Sequence, residues 1–265
     1  MRAIYILMIF GFLCSCEEVI EVDLNTSDPR LVIEANINLL EDGSSNATVK
    51  LTTTAPFFDD EIPFVSSAIV SISTSTGEIY DFEYIDNGMY KSDLIPEFGI
   101  NYTLEIIYNE EIYTATQQLQ TTVPIEFVEQ RNDGGFSGDE IEIKAFFTDP
   151  EGEENYYFFE GISDKGTVLD TYEDVFFDGN QIFGLYSVED LEANDEIEFH
   201  LYGVDRQFYN FMLILLQQGS DDSGGPFETQ PATVRGNIIN NTNSDNYPLG
   251  YFRISETYSF SYTVQ

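Results

Sequence analysis

Apolar residues recur at every second position through most of the first half of the chain. In LVIEANINLL (31–40) and NATVKLTTT (46–54) they alternate with polar ones, as strands buried on one face require. SAIVSIS places Ala68, Val70 and Ile72 on one face, and EIYDFEYI sets Tyr80, Phe82 and Tyr84 opposite a row of acids. NYTLEIIY and EIYTATQQL follow, joined by Asn109-Glu110, a two-residue hairpin signal, while Asp86-Asn87-Gly88 marks another turn. About seven short strands within residues 31–122 predict a β-sandwich, mainly β in class.

TTVPIE, around Pro124, predicts a boundary between a first unit at 31–123 and a second at 124–265. Beyond it the two-residue period resumes. DEIEIKAFFTDP sets Ile141, Ile143, Ala145 and Phe147 on one face, and DEIEFHLYGV turns Ile197, Phe199 and Leu201 inward. The run NYYFFEGI is aromatic without alternation, so core positions account for two of Tyr156, Tyr157, Phe158 and Phe159 and leave two for sheet packing or an exposed platform. One segment changes period. In DRQFYNFMLILLQQG, Phe208, Phe211, Met212, Leu215 and Leu216 follow the spacing of an amphipathic helix over about 205–218. Asp205 is its expected N-cap and Gly219 the residue past its end. The second unit is therefore expected to be a β-sandwich carrying one helix on its sheet.

The start of the chain follows neither period. Arg2 precedes AIYILMIFGFL, a positive residue before a short apolar run, as in a secretory signal. That run is too short for a membrane span of about 20 residues. Leu13-Cys14-Ser15-Cys16 then resembles the lipobox of bacterial lipoproteins. On that resemblance, residues 1–15 are a signal peptide cut after Ser15, Cys16 is the acylated first residue, and 16–30 form a polar tether. Cys14 leaves with the signal. A disulfide between two cysteines one residue apart would close a strained ring, and no further cysteine completes a zinc site.

Charge narrows the partners. The chain has 48 acidic and 10 basic residues, a formal charge of −38. Loss of Arg2 with the signal would make it −39. The nearest basic neighbours in sequence, Arg131 and Lys144, are 13 positions apart, so no basic stripe forms and no nucleic-acid partner is expected. With 17 Tyr, 22 Phe and 42% hydrophobic residues, the acidity belongs to a packed protein and not to a disordered one.

Catalytic chemistry finds little to hold. His200 is the one histidine, sharing a strand face with Glu198 and Tyr202, where a surface imidazole beside a carboxylate is the ordinary outcome. No G-x-S-x-G elbow, HExxH or P-loop occurs. No catalytic residue and no cofactor are expected. Calcium is the one ion that acid-rich loops would suit, at DPEGEE (Asp149, Glu151, Glu153, Glu154), Asp59 to Glu61, and Asp221-Asp222, though none has an EF-hand spacing.

Two resemblances add to this. Gly88-Met89-Tyr90 and Tyr102-Thr103-Leu104 are placed as in the transthyretin-like modules of carboxypeptidase regulatory domains. More broadly, CEEVIEVDL, PRLVIEANI, FFTDPEGEENYYFF, the helix and residues 226–255 resemble the domain of unknown function 4249 family of Bacteroidota lipoproteins. The most specific matches are Pro226-Phe227, Gly236-Asn237-Ile238 and Leu249-Gly250-Tyr251-Phe252. The resemblance implies an outer-membrane accessory or ligand-binding partner of a TonB-dependent receptor, held through acyl chains on Cys16. Glu17-Glu18, directly after that cysteine, resemble the acidic surface-export signals of Bacteroidota lipoproteins, so exposure at the cell surface is expected, with the periplasmic leaflet as the alternative. The family resemblance transfers no binding residue. A structural or adhesive surface protein and a carboxylate-dependent hydrolase stay open as alternatives.

Overall fold

The computed structural model describes residues 28–56, 61–135, 138, 140–219 and 233–265. Cys14, Ser15, Cys16, Asp59, Asp221, Asp222, Pro226 and Phe227 lie outside them.

The alternating segments form strands where the pattern predicts them. β1 (Leu31–Leu40) and β2 (Ser45–Thr53) pair antiparallel, and β2 continues to β5 (Met89–Ser92). β3 (Ile69–Thr74), β6 (Tyr102–Tyr108) and β7 (Glu111–Gln117) make the facing layer. β4 (Ile79–Asp86) joins the layers, because its first half pairs with β3 and its last residues pair with β5. Between the layers lie Ile33, Ala35, Ile37, Val49, Leu51, Ile72, Leu104 and Ile106. The turn at Asn87-Gly88 is left-handed at both positions, the form that matches strand twist. Asn109-Glu110 adopts the same form, with Glu110 at φ 66°, where a side chain is strained.

A second pair of layers follows. β8 (Phe127–Gly134), β9 (Glu140–Thr148) and β12 (Gln181–Tyr186) form a three-stranded sheet. It packs on β10 (Tyr156–Ser163) and β13 (Glu196–Gly203), with β11 (Gly166–Glu173) beside β10. Phe147, Tyr157, Phe159, Phe199 and Tyr186 fill this core. The chain is thus mainly β and sandwich-like throughout.

The two halves share one sheet. β15 (Leu249–Thr263) runs parallel to β1 over Leu249–Thr257 and antiparallel to β13 over Thr257–Thr263. Short β14 (Ile239–Asn240) also returns to the first unit, pairing with β7. Phe252 and Ile254 enter the first core, whereas Val264 enters the second.

The helix, α1, spans Arg206–Gly219. Asp205 caps it as expected: its carboxylate accepts the Phe208 N–H at 2.6 Å and its carbonyl accepts that of Tyr209. Gly219 is the last helical residue instead of the first one past the end, a one-residue difference at a fraying terminus. Phe208, Tyr209, Phe211 and Met212 pack on Tyr156, Phe158 and Tyr202. This explains the aromatic run in β10. Tyr157 and Phe159 point into the second core while Tyr156 and Phe158 meet the helix, so all four are buried and none forms an exposed platform.

Candidate functional site

The helix does not lie flat on the shared sheet. Between α1 and the outer face of β10, β13, β15, β1 and β2 is a cavity of about 850 Å³. Its floor consists of alternate positions that face away from both sandwich cores: Glu34, Asn36 and Asn38 from β1, Thr48 from β2, Arg253 from β15 and Glu160 from β10. Its walls are Phe158, Tyr202 and Tyr251 from the sheet, with Phe208, Phe211, Met212 and Leu215 from the helix.

Arg253 is the unusual member. It is only 8% exposed. Its Nη1 donates to Asn38 Oδ1 at 2.8 Å, and its guanidinium lies 4.2 Å from the Tyr202 ring centroid. Phe158 and Phe208 are also within about 6 Å. A desolvated cation over such a ring gains about 2 kcal/mol. Among the described residues no carboxylate comes within 4.0 Å of it. Burial pulls its pKa below the ordinary guanidinium value, but an arginine so placed still carries its charge at neutral pH. Glu160 is engaged elsewhere, accepting the Tyr202 hydroxyl at 2.8 Å. Burial first, offset by Arg253 and reinforced by Glu160, pushes that phenol well above its usual range, so Tyr202 acts as a neutral donor.

The glycines of the C-terminal motifs serve this geometry. Gly250 has φ 92° and lies against the Ile33 carbonyl, and a side chain there would collide with the β1 backbone. Gly236 lies as closely against the Gly250 carbonyl. Asn237 closes the arrangement with its side-chain amide, donating to the Phe252 carbonyl at 2.7 Å and accepting the Phe252 N–H at 2.9 Å. These residues fix the start of β15, and hence the place of Arg253.

His200 lies where expected, on the outer face of β13 near Glu198 at 3.8 Å, but it also meets Ser259 Oγ across the β13–β15 ladder at 2.8 Å. This line of serine, histidine and carboxylate lacks the geometry of a nucleophilic triad. The glutamate distance exceeds a hydrogen bond, and Ser259 is exposed in mid-strand outside the cavity.

The acid-rich loop at 149–154 splits. Asp149 gathers with Asp174 and Asp178, their ligand atoms all within 4.8 Å of one another, and not with Glu151, Glu153 or Glu154. Asp149 accepts the Tyr157 hydroxyl of β10 at 2.6 Å, and Asp178 accepts the Gly152 N–H at 2.6 Å, which ties the loop after β11 to the loop after β9. Asp174 pays for this proximity: burial first, then Asp149 and Asp178, hold its pKa above the usual carboxylate value. A raised acid penalises the folded state once pH exceeds the unfolded value of 3.8, fully so above the folded value. Asp174→Asn is therefore expected to raise the melting temperature at pH 7. At pH 3.5 it should change little. Scanning fluorimetry at the two pH values checks this, and a lower melting temperature at pH 7 would contradict it.

A family model described as "Domain of unknown function (DUF4249)" matches residues 17–261. No curated protein matches the chain. Solved structures similar to it include a two-fibronectin-type-III segment of chicken tenascin, at 10% identity and a TM-score of 0.21, covering 66% of this chain and 90% of that one. A cytokine receptor complex is similar at 11% identity and a TM-score of 0.25, covering 67% of this chain and 85% of that one.

Proposed function

The chain belongs to the family described as domain of unknown function DUF4249, and from its cavity we propose that it is a non-enzymatic binding protein, anchored at the outer membrane through Cys16, that captures a ligand for a TonB-dependent receptor. The observation that carries the binding reading is the cavity under α1. At about 850 Å³ it has the size of a small-molecule site, with apolar walls and a few converging polar groups. Anchoring is supported by Arg2, the apolar run and Leu13-Cys14-Ser15-Cys16. The receptor partner is the implication of the family resemblance, and the acidic surface gives no support for a nucleic-acid partner.

A neutral fluorescent probe, N-phenyl-1-naphthylamine, tests the cavity. The chain from Glu17 contains every described residue and can be studied without detergent. It is expected to bind one equivalent of probe saturably. Leu215→Trp places a bulky indole on the cavity wall at a residue that is 42% exposed, where the fold tolerates it. This variant should weaken probe binding at least tenfold at an unchanged melting temperature. Non-saturable binding, or equal binding by the variant, would remove the cavity as a ligand site.

A further inference from the structure

We propose that the cavity takes a singly charged anionic amphiphile, with a carboxylate or sulfonate head seated on Arg253 and an apolar body along the helix wall; this rests on the cavity being a binding site. The chain has few cations to place, 10 against 48 acids, yet one is buried here and faces the cavity. Among the described residues its close partners are a neutral amide oxygen and aromatic rings, with no carboxylate within 4.0 Å. A guanidinium offers five N–H groups in a planar fork that matches a carboxylate, and one bond to Asn38 leaves much of that fork for a ligand.

The acids nearby balance that charge only from a distance. Glu160 accepts the Tyr202 hydroxyl and acts on Arg253 through its charge, without an ion pair within 4.0 Å. Glu34 is exposed, so solvent and salt screen it. Together they limit the ligand's charge: one buried cation balances a monoanion, whereas a polyanion would meet Glu34, Glu160 and the field of a chain of net charge −38. The helix wall of the cavity is apolar, with Phe208, Phe211 and Met212 along one side. It suits a hydrocarbon or aromatic body, which would lie against it while the head reaches the polar floor.

The test uses 1-anilinonaphthalene-8-sulfonate, the anionic counterpart of the neutral probe, on the same detergent-free chain. Saturable one-to-one binding is expected, with decanoate displacing the probe at least tenfold more effectively than decanol at pH 7. Arg253→Met should abolish that preference while the neutral probe still binds, and Arg253→Lys should keep part of it. Arg253→Met also alters a buried position, so the decanoate–decanol comparison on the unaltered chain decides alone. Equal displacement by the two would make Arg253 a structural cation and overturn the anionic class while leaving the cavity reading intact. Failure of both probes to saturate would sink the cavity reading itself.

Discussion

Ending the chain at residue 248 is expected to unfold both sandwiches, not the second alone. β15 is the strand that each half lacks without the other. Its first nine residues pair with β1 and its last seven with β13, and Thr257 belongs to both registers. Removal would open the edges of β1 and β13 together and strip Phe252 and Ile254 from one core and Val264 from the other. Each such side chain contributes about 1.5–3 kcal/mol through burial. Their combined loss approaches the whole stability of about 5–15 kcal/mol that a folded domain has, before any lost ladder bonds are counted. Calorimetry of the truncated chain should therefore show no cooperative transition. A gentler version is Phe252→Ala, for which truncation of a fully buried phenylalanine costs about 3–5 kcal/mol. A single transition is expected, lowered by about 10 °C. A truncated chain whose first half still melts cooperatively would show that β15 is an accessory to that half and not its part.

Much of this architecture was legible locally. Alternation located β1, β2, β3, β4, β6 and β7, and a change of period located α1 together with its cap at Asp205. Such signals lie within a few residues of one another. The return of β15 to β1 left no comparable trace, because the pairing partners Val32 and Leu249 are far apart in sequence and a parallel neighbour imposes no turn. A weaker signal was present. In YFRIS, five consecutive residues from Tyr251 to Ser255 are buried, as a strand covered on both faces requires. An arginine inside such a run has to be buried too.

The cavity was hidden for a related reason. Glu34, Asn36 and Asn38 occupy the polar phase of β1, which alternation assigns to solvent. They face a cavity because the helix, some 170 residues later, stands over the seam between the halves. The acid loop shows the converse. Composition brought Asp149 forward with its sequence neighbours, but the fold gave it Asp174 and Asp178 from the loop after β11. His200 was likewise read with Glu198, while its closer partner, Ser259, comes from the strand that sequence alone did not place beside it.

Replacing Cys16 by alanine is expected to move the protein from the membrane to the soluble fraction nearly completely. Among the described residues no helix is long and apolar enough to cross a membrane. On the proposed reading, attachment therefore rests on the acyl chains. Each buried CH₂ contributes about 0.8 kcal/mol. One chain holds a protein only marginally, whereas several make exchange with water negligible. The protein itself adds little, since a net charge of −38 repels anionic head groups and its basic residues are too dispersed in sequence to offset this. Fractionation of cells expressing the two forms reads the difference, and mass spectrometry of the N-terminal peptide shows whether Cys16 carries lipid. The same membranes test the partner: gentle extraction of the unaltered protein should recover an outer-membrane receptor that Cys16→Ala does not retain. Membrane attachment by the alanine form would overturn the anchor. Recovery of the lipidated protein without a receptor would leave the anchor standing and remove the transport role, returning the cavity to a binding protein that acts alone.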